Sequence, residues 1–124
     1  KQDQYAAAYG GMNLIEFDDE VRVTPLPRET CEKIVFSTVL VYIGGTRESR
    51  DIQQGFKDLT DSQIKALDKI KTRVITARHY IGSGFIQELG GLMHEAWELK
   101  KESNKGVSNF KIDEIYDYAR KNGA

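Results

Sequence analysis

Residues 60–81 constrain the fold more than any other part of the sequence. Thr60 and Gln63 have the spacing of a capping box, in which each side chain bonds the other residue's backbone at a helix N-terminus. Apolar residues then recur at steps of three and four: Ile64, Leu67, Ile70, Val74, Ala77 and Ile81. This period predicts one long amphipathic helix, whose apolar stripe other elements must cover.

Two more helices are predicted after Gly82-Ser83-Gly84, because glycine disfavours a helix interior. The first carries an apolar face made of Phe85, Leu89, Leu92, Ala96 and Leu99, widened by Met93 and Trp97. Asn109 is expected to cap the second, which turns inward Ile112, Ile115, Tyr116 and Ala119.

The N-terminal half has the patterns of strands. Residues 12–17 and 20–25 flank Asp18-Asp19, and alternation in the second run predicts a β-hairpin with Val21 and Val23 facing inward. Thr30 is expected to cap a short helix that ends near Phe36. Residues 38–43 are apolar on both faces, which predicts a central strand inside the sheet.

These elements predict an α+β fold in which a small antiparallel sheet is packed by a run of helices. At 124 residues the chain is long enough for one core. We expect a single unit, with the opening motif and the strands in residues 1–58 and the helical part in residues 59–124.

Composition excludes several classes of function. The net charge is −1 with acids and bases interspersed, so neither a nucleic-acid partner nor a membrane partner is expected. Cys31, the single cysteine, cannot form an internal disulfide, which suits the reducing cytoplasm. His79 and His94 lack further ligands at metal-binding spacing, so no metal site is predicted.

Residues 1–11 place one acidic residue, Asp3, on a short segment that favours helix. Asp3 lies between two glutamines, an alanine run that favours helix follows, and Gly10-Gly11 ends it. Taken alone, an acid near a helix start is most often a cap or a partner of the helix dipole.

Residues 2–11, Gln-Asp-Gln-Tyr-Ala-Ala-Ala-Tyr-Gly-Gly, followed by an apolar strand, resemble the middle segment of the GHMP small-molecule kinases. Within that superfamily they look most like the bacterial kinases of D-glycero-D-manno-heptose phosphates. The resemblance implies that Asp3 is a catalytic residue beside the acceptor hydroxyl, and that Gln4 and Tyr5 contact the substrate. Solvent exposure or helix packing is the other interpretation of Gln4 and Tyr5.

Arg47 is the next candidate. It ends Tyr42-Ile43-Gly44-Gly45-Thr46-Arg47, which is similar to a Tyr-x-Gly-x-x-Arg segment of the heptose kinases. The resemblance implies that its guanidinium grips a substrate phosphate in bidentate fashion. A surface arginine without a ligand is the alternative.

The resemblance also implies cofactors. GHMP kinases use ATP and Mg²⁺ through glycine-rich loops that lie outside the segment matched here, and no glycine pair of this chain has phosphate-loop spacing. We therefore expect part of a larger cytoplasmic sugar-phosphate kinase, which converts a heptose 7-phosphate to the 1,7-bisphosphate. Neither ATP nor Mg²⁺ is expected on this chain alone.

The expected partners are the sugar-phosphate substrate, the remainder of the kinase chain, and a second copy bound through exposed apolar surface. A rival interpretation from another class stays open. The chain would then be a stand-alone α+β interaction module that docks a partner and performs no chemistry.

Overall fold

The computed structural model describes residues 2–44 and 59–124. Within these ranges the chain forms five α-helices, two strands and two short 3₁₀ turns. In chain order they are α1 (Gln2–Tyr9), β1 (Asn13–Phe17), β2 (Val21–Pro25), α2 (Arg28–Phe36), α3 (Asp61–Ser83), the turn Ile86–Glu88, α4 (Leu89–Ser103), the turn Lys105–Val107 and α5 (Phe110–Lys121). The predicted α+β class is confirmed.

The long helix α3 begins as the sequence predicts. The Thr60 backbone N–H donates to Gln63 Oε1 at 2.9 Å, and the Gln63 N–H donates to Thr60 Oγ1 at 3.4 Å. The helix ends at Gly84, whose φ of 80° only glycine adopts without strain. The capping box and the glycine stop are both confirmed.

The prediction that Phe85 lies on the apolar face of the next helix is wrong. The Phe85 N–H donates to the Tyr80 carbonyl at 2.9 Å, so it closes α3 instead of opening α4. A 3₁₀ turn follows, and α4 begins at Leu89. Met93 was expected to be buried but is 70% exposed.

The most deeply buried residues lie where the start of α3 meets the end of α4. Ala66, Leu99 and Val107 are buried there, and Ser103 is fully covered. Gln63 Nε2 donates to the Ser103 carbonyl and joins the two helix ends. Asn109 caps α5 by accepting from the Ile112 N–H at 3.0 Å, as predicted. Helices α3 and α4 therefore pack against each other, and α5 meets α4 through Tyr116.

Strands β1 and β2 pair antiparallel, with Ile15 opposite Val23 and Phe17 opposite Val21. Val21 and Val23 are half-buried while Arg22 is exposed, so the predicted alternation is confirmed. One face of this hairpin meets α1 and the other meets α3, since Glu16 of β1 pairs with Arg78 at 3.6 Å.

Two N-terminal predictions are wrong. Helix α2 starts after Pro27, which provides no side-chain cap, so Thr30 lies inside the first turn and does not cap it. Residues 38–43 form no strand, and Leu40 is 98% exposed. A central strand needs hydrogen-bonding neighbours on both sides, and the described sheet has only its two hairpin strands.

Candidate active site

Helix α1 carries the predicted catalytic acid. Asp3 lies in its first turn, where the helix dipole favours negative charge. Asp3 and Gln4 are exposed, and Tyr5 is half-buried. The Tyr5 ring packs edge-on against Phe17, with ring centroids 5.8 Å apart and planes at 80°. Tyr5 therefore anchors α1 to the hairpin and leaves the acid facing solvent.

The glycine pair after α1 fixes how the helix meets β1. Gly10 and Gly11 have φ of 64° and 63°, a region that side-chain-bearing residues rarely adopt. The Gly10 N–H donates to the Ala6 carbonyl at 3.0 Å, and Asn13 Nδ2 donates to the Gly10 carbonyl at 2.8 Å. The chain therefore reverses direction between α1 and β1. As a result α1 lies alongside β1, with Tyr5 next to Phe17 at the end of the strand.

The Asp3 carboxylate has the access that a proton acceptor needs. Within the described ranges, no residue forms a hydrogen bond or ion pair with the side chain of Asp3 or Gln4. Both carboxylate oxygens are therefore available to an incoming hydroxyl. Arg47, the predicted phosphate ligand, lies outside the described residues, and its grip on a substrate phosphate stays a prediction.

A cavity that sequence reasoning missed lies between the hairpin and α3. Its volume is about 580 Å³, and its polar lining includes Asn13, Thr24, Thr30 and Arg78. Asn13 Oδ1 is buried and has no partner among the described residues. Asn13 lies at the open end of the hairpin, whereas Tyr5 contacts Phe17 beside the hairpin turn. The structure therefore does not bring Asp3 to this cavity. A lone asparagine at a strand start carries no sequence signal that could have revealed it.

A second cavity lies between α4 and α5. Tyr116 packs there between His94 and Trp97, and its hydroxyl is 2.8 Å from His94 Nδ1. Burial raises the pKa of the Tyr116 hydroxyl above its ordinary value. Sequence reasoning treated Trp97 as core and gave His94 no chemistry, so it missed this cluster as well.

Among residues 2–44 and 59–124, no group of three or more potential ligand side chains is placed to hold a metal ion. No helix in the same ranges is long and apolar enough to cross a membrane.

Comparison with known proteins gives one informative match. No protein-family model matches the sequence, and no solved structure matches it significantly. The chain is 31% identical over 129 residues to the D-glycero-alpha-D-manno-heptose 7-phosphate kinase of Campylobacter jejuni. The alignment includes 99% of this chain and 38% of that protein, so the chain spans less than half the length of the curated relative that it matches. The similarity relates the chain to a kinase.

Proposed function

We propose that this chain supplies the acceptor side of a GHMP-type, ATP-dependent kinase that phosphorylates a heptose phosphate such as D-glycero-D-manno-heptose 7-phosphate. The observation that carries the proposal is the 31% identity to a heptose 7-phosphate kinase over almost the whole chain. The Asp-Gln motif at residues 3–4, exposed at the start of an anchored helix, supports it. The proposed location is the cytoplasm.

In this proposal Asp3 accepts the proton of the attacking sugar hydroxyl. The sugar oxygen bonds to the γ-phosphorus of ATP, the bond from that phosphorus to the bridging oxygen breaks, and ADP leaves. Such transfers depend mainly on positioning and charge stabilisation. A carboxylate on a helix held by the Tyr5–Phe17 contact and two glycine turns suits a positioning role.

The proposed substrate contacts are Gln4, Tyr5 and Arg47. The exposed Gln4 amide can donate to and accept from a polyol. Tyr5 has a half-buried ring, so its main role here is to hold α1 while its hydroxyl contacts the sugar. Arg47 would grip the phosphate that the substrate already carries.

We place the nucleotide and Mg²⁺ on parts of the kinase other than the described residues. Those residues offer no cluster of metal ligands, so no step is assigned to a metal held by them. When bound, Mg²⁺ would neutralise charge on the transferred phosphoryl group. On this proposal the 124-residue chain alone does not bind ATP.

The exposed apolar residues after α2 support a protein partner. Leu40 is 98% exposed, Tyr42 88% and Val39 85%. Adjacent apolar side chains so open to water mark an interface. The proposed occupant is the remainder of the kinase, since the chain matches only 38% of its relative.

The test is Asp3→Asn in the complete gene product, assayed with ATP, Mg²⁺ and a panel of sugar phosphates. Losing a general base should lower kcat about 10²-fold or more while leaving KM for ATP unchanged. Asp18→Asn is the matched control, because Asp18 is an exposed acid in the hairpin turn. Full turnover by Asp3→Asn would show that Asp3 is not the general base.

A calorimetric titration of the 124-residue chain with ATP tests whether the nucleotide site lies on other parts of the kinase. We expect no binding heat, and micromolar affinity would contradict the placement of the nucleotide site. No phosphorylation of any sugar phosphate by the complete gene product would instead favour the non-catalytic interaction module.

A further inference from the structure

The cavity between α4 and α5, named here the α4–α5 groove, has a mainly apolar lining that is open to solvent. Its volume is about 640 Å³, and Ile70 of α3 closes one side. Met93, Trp97 and Ile112 contribute side chains to the lining. Met93 is 70% exposed even though it lies on the groove. Exposed apolar surface with polar residues at its edge typically marks an interaction site.

Most polar groups that line the groove are already bonded or covered. His94 Nδ1 and the Tyr116 hydroxyl lie 2.8 Å apart and bond each other. Arg120 donates from Nη1 to the Ala124 carbonyl. Trp97 Nε1 is buried, so a group in the groove does not reach it. The groove therefore favours an occupant that presents apolar side chains over a small polar ligand.

The end of α5 turns the backbone toward the groove. Gly123 has a φ of 95°, a value that glycine adopts without strain. Its N–H donates to the Arg120 carbonyl at 3.3 Å, and the Ala124 N–H donates to the Ala119 carbonyl at 3.1 Å. These two bonds form a Schellman motif, which ends the helix and redirects the chain. Ala119 and Ala124 both line the groove, so the backbone at residue 124 already lies on it.

A polypeptide that continues past Ala124 therefore begins its path at the groove. The Arg120 guanidinium fixes the direction of this start through its bond to the Ala124 carbonyl, because a peptide carbonyl accepts such a bond. The matched heptose 7-phosphate kinase is longer than this chain, since the alignment includes 38% of it. A covalently linked segment has a high effective concentration at the nearest apolar surface, which favours it over a separate partner.

We propose that the α4–α5 groove is covered by the segment of the complete kinase that follows Ala124. An extended segment presents alternate side chains to one face, and these apolar side chains lie against Met93, Trp97 and Ile112. The inference rests on the proposed function for the existence of a longer chain. It does not involve Asp3 or the transfer reaction.

Cysteine labelling at the groove tests the proposal. Met93→Cys places a thiol at a position that is 70% exposed in the 124-residue chain. In the complete gene product the covering segment should slow its reaction with a maleimide about tenfold or more. Mass spectrometry of the labelled peptide follows this site alone. Equal rates in the two proteins would overturn the proposal.

A control position and a shortened product identify the occupant. Glu102→Cys is the matched control, because Glu102 is an exposed residue of α4 that does not line the groove, and it should react equally fast in both proteins. A stop codon after Ala124 in the complete gene removes the proposed segment, so fast labelling of Met93→Cys should return. Slow labelling in the shortened product would assign the groove to another part of the kinase and contradict the proposal.

Peptide binding gives a measurement that does not depend on how the shortened product folds. A synthetic peptide of the residues encoded directly after Ala124 is titrated into the 124-residue chain while the emission of Trp97, its only tryptophan, is followed. We expect a saturable change that Met93→Glu weakens about tenfold and Glu102→Gln leaves unaltered. No change in emission, or a gene that encodes nothing after Ala124, would overturn the proposal.

The outcomes separate this inference from the proposed function. Turnover of a sugar phosphate by a complete gene product in which Met93→Cys is labelled fast would refute the covered groove and leave the kinase proposal standing. Slow labelling without turnover of any sugar phosphate would support the covered groove and refute the kinase proposal.

Discussion

Gln63 joins two helix ends, and its replacement should destabilise the packing of α3 against α4. Its Oε1 accepts from the Thr60 N–H, one of the unpaired donors at the start of α3. Its Nε2 donates to the Ser103 carbonyl, one of the unpaired acceptors at the end of α4. Ser103 is fully buried, so water does not replace the lost donor freely.

The magnitude follows from these two bonds. Loss of a cap interaction costs about 1 kcal/mol. A buried carbonyl left without a donor costs about 1–3 kcal/mol. Gln63→Ala should therefore lower the free energy of unfolding by about 2–4 kcal/mol. Gln63→Glu keeps the capping geometry and loses only the donor, so about 1–3 kcal/mol is expected.

Urea unfolding followed by circular dichroism measures the effect. With a slope of about 1–3 kcal/mol per molar urea, Gln63→Ala should move the midpoint down by about 1 M. Thr60→Ala, which removes the cap and leaves the Ser103 bond, should cost about 1 kcal/mol. If Gln63→Ala costs no more than Thr60→Ala, the bond between the helix ends contributes nothing and the reasoning fails.

Two further predictions concern an exposed segment and a buried phenol. The 124-residue chain should self-associate through Leu40, which is 98% exposed. Light scattering should show that Leu40→Lys is a monomer, whereas Phe110→Lys, at a site 83% exposed, should associate like the parent chain. A monomeric parent chain would refute this prediction. Burial raises the pKa of the Tyr116 hydroxyl, so the folded state holds that proton more tightly. The resulting stability is present below about pH 10 and is lost as pH rises through the folded pKa. Tyr116→Phe should flatten this alkaline decline in urea unfolding, and an unchanged slope would contradict it.

Local rules predicted the parts of the fold whose interactions lie close in sequence. The Thr60–Gln63 cap, the Gly84 stop and the alternation of β2 each depend on residues a few positions apart, and each is confirmed. The start of α4 was misplaced because Phe85 completes the closing turn of α3, a role that depends on the φ of Gly84. The spacing of apolar residues alone does not show whether Phe85 belongs to the last turn of α3 or to the first turn of α4.

The error at residues 38–43 has a different cause. A run that is apolar on both faces favours a central strand, but pattern alone does not supply the neighbouring strands. Within the described ranges only the hairpin forms a sheet, and Leu40 stays in water. The cavity between α4 and α5 was missed for a related reason. Trp97 and Tyr116 are 19 positions apart and on different helices, so only tertiary packing brings their rings together.

In the proposed function, Asp3 needs both a fixed position and surroundings that make it an effective base. The Tyr5–Phe17 contact and the turn at Gly10 and Gly11 fix where α1 lies on the hairpin, and all of these residues are present in the chain. A general base also needs a site from which water is excluded, because desolvation strengthens its interaction with the acceptor hydroxyl. Asp3 is exposed, so the described residues supply the position without the enclosure. On the proposed function, Asp3→Asn should therefore leave the unfolding free energy of the 124-residue chain unchanged within about 0.5 kcal/mol while lowering kcat of the complete gene product about 10²-fold or more. A destabilised chain would show that Asp3 serves α1 itself.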